Sequence, residues 1–167
     1  MNRGAIRILG VDPGLRHTGW GLIEASGSRL SFLGCGSIKT EAGASLAGKL
    51  ASIHCALMAL VDENAPHEAA VEETFVNRDP QSTLKLGQAR GVTLAALALK
   101  DLPVSEYAAN LIKKTVVGAG HAEKNQVAMM VRMLLPASNA STPDAADALA
   151  VAICHAQHRK ARARGAA

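Results

Sequence analysis

The sequence predicts an α/β domain: a mixed five-stranded sheet with helices on both faces. Three observations carry that reading. An apolar, β-branched run from Ile6 stops on the turn Asp12-Pro13-Gly14. The next stretch alternates apolar residues with Gly, Ser and charges around a turn at Ala25–Ser28, so it reads as two more strands of an antiparallel meander. After that, segments of helical period separate two further strand candidates, as crossovers do in a partly parallel sheet.

The elements follow in order. Residues 6–12 form the first strand, and the meander supplies the second and third. Leu46, Leu50, Ile53, Leu57 and Val61 recur at three and four, which predicts a helix from about Ser45 to Asp62, ended by Pro66. Glu68–Phe75, "EAAVEETF", reads as the fourth strand, with a loop through Asn77 and Asp79-Pro80. A helix from Pro80 to about Leu99 carries Gly87 and Gly91. Two interior glycines cost roughly 1 kcal/mol each relative to alanine, so their i, i+4 spacing predicts something packed very close to that face. "PVSEYA" is the fifth strand, and helices follow near Ala109–Val116 and Ala122–Leu135. The last helix opens at Thr142-Pro143-Asp144, where Thr suits the N-cap and Pro the first helical position. With no internal repeat or linker, the reading is one domain over 1–155, then a basic, flexible C-terminal tail over 156–167.

Composition sets bounds. At 167 residues with 49% apolar and 19% charged content, the chain has enough apolar residues for one full core and is not a disordered polyelectrolyte. No apolar run approaches the roughly 20 residues of a membrane helix, and the N-terminus reads as no signal peptide, so a cytoplasmic protein is expected. Cys35, Cys55 and Cys154 are far apart and lack zinc-ligand spacing, so they read as reduced thiols. A net charge of +4 permits a polyanionic partner without requiring one. Lys113-Lys114, Lys124 and the tail "HRKARARG" are the places such a partner would use, although charge runs also occur as plain solvated surface.

Four acids stand where acids are costly. Asp12 ends the first strand, and Glu72 sits inside the fourth, where Glu73 must face the other way. Asp144 and Asp147 are three apart near a helix start and share a face. Each has an ordinary explanation alone: turn chemistry for Asp12, a strand-edge charge for Glu72, the helix dipole for Asp144. Asp147 is harder to dismiss, flanked as it is by Ala145, Ala146, Ala148 and Leu149. If the four converge, they cannot all ionise near neutral pH without cations between them. Hard divalent ions, magnesium above all, relieve that repulsion. Two ions about 3.5–4 Å apart can activate a water and stabilise the leaving oxygen of a phosphodiester; manganese is the expected substitute.

The segments "GVDPGLRHTGWG", "VEETF", "LKLGQARG", "KKTVVGAGHAEKNQV" and "DAADALAVAI", in that order, closely resemble the RuvC family of bacterial Holliday-junction resolvases. The resemblance spans about Ile8 to His155. It implies an RNase H-like fold of the retroviral-integrase superfamily, a homodimer, and a magnesium-dependent endonuclease. Such an enzyme makes paired symmetric nicks in four-way DNA junctions during recombination and repair, alongside the RuvA and RuvB branch-migration proteins. It also implies a catalytic, metal-binding tetrad of Asp12, Glu72, Asp144 and Asp147. Lys113 and Lys124 match lysines that engage phosphate, Lys114 extends the pair, and Phe75 matches an aromatic that contacts unpaired bases. Gly87 and Gly91 then fit a helix meeting its symmetry mate. His17 gains no role.

Three other readings compete. YqgF-like RNA-processing nucleases share the fold, but the "LGQARG" helix is not expected in them. A non-catalytic junction-binding module would bind without its acids and never cleave. An actin-like or sugar-kinase-type nucleotide binder shares a "GVDPG"-like loop, but needs a second lobe for which 167 residues leave no room.

Overall fold

An apolar strand that ends in a Pro-Gly turn has to reverse, and β1 (Ile6–Asp12) does so into β2 (His17–Ser26), which pairs with it antiparallel. The turn is tied by Thr18, a fully buried residue whose hydroxyl donates to the Gly14 carbonyl at 2.7 Å. The computed structural model describes residues 4–74 and 78–165, with side chains as far as Arg159. β3 (Arg29–Lys39) completes the meander. It is followed by α1 (Leu46–Asn64), β4 (Glu68–Glu72), α2 (Pro80–Ala98) and β5 (Val104–Tyr107). Then come α3 (Ala109–Val117), α4 (Lys124–Leu134) and α5 (Pro143–Gly165).

The sheet order is β3-β2-β1-β4-β5, with β4 parallel to β1 and β5 parallel to β4. Alternation along the strands sorts the core into two layers. Leu9, Val11, Ala69 and Val71 pack with α1 and α2 residues such as Ile53, Leu57 and Leu97. Ile8, Ala70 and Tyr107 face the other way, toward α3, α4 and α5.

Capping follows the sequence closely. Ser45 accepts from Gly48 N–H at 3.1 Å to start α1, and Asp79 accepts from the N–H groups of Gln81 and Ser82 ahead of Pro80 in α2. Thr142 accepts from Ala145 N–H at 3.3 Å at the head of α5.

Three features differ from the sequence reading. β4 ends at Glu72 rather than Phe75, because its partner β5 runs out at Tyr107; the ladder's last bond is Glu73 N–H to the Tyr107 carbonyl, 2.9 Å. Phe75 itself lies outside the described residues. α5 does not stop near His155 but continues to Gly165, so residues 156–165 of the expected tail are helical. His158 and Arg159 hold that extension to the body through Thr115 and Glu68.

α5 also lies much closer to the sheet than a helix with ordinary side chains beneath it could. A Cβ added at Gly10 would stand 2.2 Å from the Ala148 carbonyl oxygen, and one at Gly19 would stand 2.0 Å from that of Asp144. These glycines form the bed on which the helix rests.

Candidate active site

The parallel strands β1, β4 and β5 all point their carboxyl ends at one edge of the sheet, which is where open α/β sheets place ligands. Two acids arrive there on the strands themselves. Asp12 and Glu72 each stand one residue beyond the Val11–Val71 pair, and period-two alternation turns both toward the α5 face. The other two arrive on the first turns of α5, brought down by the contact at Gly19.

Asp12, Glu72 and Asp147 line one cleft of about 190 Å3, together with Lys113 from α3 and Lys124 from α4. Ala109, Ile112, Val127 and Ala150 give it an apolar lining. Asp144 is half-buried and does not line this cleft, yet its charge is felt at Asp12, Asp147 and Lys124. Lys114 is exposed and takes no part in the cleft. A second cleft, about 340 Å3, shares Lys124 and Asp147 with the first and continues past Asn125, Arg132, Ser141 and Thr142. His17 is exposed at the start of β2.

The electrostatics are those of a site short of positive charge. Burial, with Glu72, Asp147 and Asp144 adding to it and Lys124 opposing, brings the Asp12 carboxyl up to about 8. Burial, with Asp147 adding to it and the two lysines opposing, brings Glu72 up to about 7. Asp147 is also raised by burial, although Lys124 stands 3.4 Å away and works against the shift. Lys124 in turn is raised above the usual lysine range, chiefly by Asp147. Lys113 and the largely exposed Lys124 do not balance these carboxylates.

Carboxylate oxygens are hard donors, so the set fits a divalent cation such as magnesium rather than zinc or copper. Among the described residues, no three carboxylate, histidine or cysteine side chains close in tightly enough to cage an ion by themselves.

The sequence reading missed Thr18, which ties the turn after Asp12, and Gly10 and Gly19, which seat α5 on the sheet. A Gly inside an alternating strand carries no local sign of a helix contact more than a hundred residues away.

Gly87 and Gly91 are exposed, and a Cβ on either would meet nothing within 4 Å. Among the described residues, the close neighbour their spacing predicts is therefore not supplied by this chain.

Comparison with known proteins comes down on the same side. Residues 8–155 match the family model described as crossover junction endodeoxyribonuclease RuvC. The RuvC of Methylocella silvestris is 69% identical over 98% of this chain and 93% of its own length; that of Beijerinckia indica is 61% identical over 93% and 89%. Among solved structures, Thermus thermophilus RuvC in complex with a Holliday junction substrate superposes with a TM-score of 0.86 at 32% identity, covering 94% of this chain and 96% of that one. The yeast mitochondrial Holliday junction resolvase shares the fold, with a TM-score of 0.65 at 12% identity.

Proposed function

Because the chain belongs to the RuvC family of crossover junction endodeoxyribonucleases, we propose that its cleft hydrolyses phosphodiesters of four-way DNA junctions through Asp12, Glu72, Asp144 and Asp147. The chain is a phosphodiester hydrolase of the resolvase type, acting in recombination and repair. The observation that carries the residue assignment is the charge deficit: Asp12 at about 8 and Glu72 at about 7 face one cleft with Asp147.

Magnesium bound there, as two ions or with manganese in its place, would supply water activation and neutralise charge on the phosphate. The residues' own work can be stated from the geometry. Asp12, on a strand between two neighbours and behind a turn tied by Thr18, is the most rigidly held ligand. Glu72 and Asp147 face it from β4 and α5, and Asp144 adds negative charge from the rim. Lys113 and Lys124 flank the cleft and engage the substrate's phosphates as point charges. The second cleft, with Arg132 and Thr142, offers the scissile strand a polar path away from the acids. Phe75, outside the described residues, would stack on unpaired bases at the junction centre.

The open face at Gly87 and Gly91 is where a second copy docks in this proposal. A two-fold dimer presents two clefts to a two-fold symmetric junction, one for each opposed strand. RuvA and RuvB complete the proposed assembly, in the cytoplasm. No helix among the described residues is long and apolar enough to cross a membrane.

The deciding experiment compares a mobile four-way junction with linear duplex of the same sequence, in magnesium and then in chelator. Paired symmetric nicks on the junction alone, and only with magnesium, are expected. Binding without nicking under any metal would reduce the protein to a junction-binding module. Cleavage of RNA in preference to the junction would move it to the RNA-processing relatives.

A further inference from the structure

Away from the acids, four polar side chains meet beneath α5. The Tyr107 hydroxyl and His155 Nδ1 stand 2.8 Å apart, and His155 Nε2 is 2.7 Å from Glu68 Oε2. Arg159 Nε donates to the same carboxylate at 2.9 Å, and its terminal nitrogen reaches the other oxygen. Tyr107 is 1% exposed and His155 3%. One tautomer serves both histidine contacts: Nε2–H donates to the Glu68 carboxylate, while Nδ1 accepts the Tyr107 proton. The arrangement is directional. The Tyr107 and His155 rings also meet edge to face, with centroids 5.7 Å apart. The Arg159 hydrogen bond, helped by His155, holds the Glu68 carboxyl down at about 2, so it stays charged.

From this geometry, and resting on the assignment of the acids above, we infer that Tyr107, His155, Glu68 and Arg159 are positioning residues that fix the spacing between Glu72 and Asp147. Glu68 and Glu72 lie four apart on β4, on one face and about 13 Å from end to end. Asp147, Val151, His155 and Arg159 recur at four along α5, a row that drifts about 40° per step, with Asp147 and His155 about 12 Å apart along the axis. The two lengths match. Strand and helix therefore carry one acid each at the cleft and one member of the network each at the far end.

The need for such a clamp follows from what lies between. Ladder hydrogen bonds register β4 against β1 as far as Val71 and against β5 as far as Glu72, but no ladder holds a helix against a sheet. At its closest the contact is made of Gly10, Ala148 and Ala152, with Ile8, Ile23, Leu149 and Ile153 packed in the same layer; such apolar packing sets how near the helix lies but is non-directional. Tyr107 links both ends: it opposes Glu72 in the ladder, and its hydroxyl reaches the helix.

The test uses the full chain with Tyr107→Phe, which removes one oxygen atom, and Glu68→Gln. Four quantities are read: thermal stability, junction Kd in chelator, single-turnover cleavage with bound junction, and Mn2+ affinity of the DNA-free protein by calorimetry. Tyr107→Phe and Glu68→Gln, folded at the assay temperature, should keep the junction Kd. Their single-turnover rate should fall about 10- to 100-fold, the cost of sub-ångström misplacement of reacting groups. Mn2+ affinity should weaken with it. A folded Tyr107→Phe with unchanged rate and Mn2+ affinity would leave the network a stabilising role only and overturn the inference. Should Glu68→Gln fail to fold, Tyr107→Phe decides alone. Asp147→Asn, run alongside, keeps the two readings apart: if it still cleaves, the acid assignment fails, whereas a dead Asp147→Asn beside a fully active Tyr107→Phe sinks only the network.

Discussion

Asp12 retains its proton to about pH 8 because burial and three neighbouring carboxylates outweigh Lys124. The consequence for stability has a definite sign. From about pH 4 to 8 the folded protein keeps a proton that the unfolded chain has released, so without metal this group lowers stability as pH rises through that window. Asn cannot ionise and escapes the loss. Metal-free Asp12→Asn should therefore melt higher than the parent at pH 8.5, by about 2–4 °C for each kcal/mol relieved, while cleaving nothing and still binding the junction. A lower melting temperature there would show that the buried carboxyl makes a stabilising contact instead. The lysines separate at the same scale. Lys113→Ala should lower the salt slope of junction affinity by about one unit, whereas Lys114→Ala, outside the cleft, should leave it unchanged. An unchanged slope for Lys113→Ala would remove it from the phosphate contacts. The three acids that meet in the cleft were visible in the sequence, as carboxylates at a strand end, inside a strand and on an alanine-rich helix, whereas Asp144 also had an ordinary place in a helix's first turn. The difference between Lys113 and Lys114 was not visible: it depends on the rotation of α3 about its axis, which adjacent residues do not encode.

Between elements, the site depends on how closely α5 approaches β1 and β2. Periodicity located every strand and helix of the described chain, and the Thr142-Pro143 start of α5 was readable from capping chemistry alone. The approach distance was not readable. Gly10 and Gly19 looked like interruptions in two strands, and their partners, Ala148 and Asp144, lie far along the sequence. The Tyr107–His155 pair was hidden for the same reason, with one residue on β5 and the other on α5. The closeness of the fit can be tested. Gly10→Ala forces a methyl against the Ala148 carbonyl, and backbone on both sides leaves little room to yield. It should cost about 1–3 kcal/mol by denaturant unfolding and depress cleavage more than junction binding, because the helix that lifts away carries Asp144 and Asp147. Gly87→Ala, with open space around it, should instead be neutral or stabilise an isolated subunit by up to about 1 kcal/mol. A Gly10→Ala protein as stable and active as the parent would mean that α5 tolerates displacement and that its glycine bed does not set the site.

For the whole molecule, the outward face of α2 is the feature that one subunit leaves unexplained. Ala89, Thr93, Ala96 and Leu97 bury the inner side of the helix, whereas Leu84 is 68% exposed and shares the outer side with Gly87 and Gly91. Two interior glycines weaken a helix unless something needs the room they leave, and nothing among the described residues uses it. A second copy related by a two-fold axis would use it, since a self-complementary groove places the same small residues opposite one another. Gly91→Lys discriminates between a dimer face and a plain exposed helix. In a lone subunit the lysine enters open solvent and improves helix propensity, so the fold and its melting should hold or improve. In a dimer it sets two ammonium groups into a closely packed seam. Sedimentation should then show a folded monomer, and junctions should receive isolated nicks in place of paired ones, because each strand's cleft would no longer arrive with its mate. A Gly91→Lys protein that still sediments as a dimer and still makes paired incisions would place the two-fold contact on some other face and leave the glycines of α2 without a purpose in the assembly.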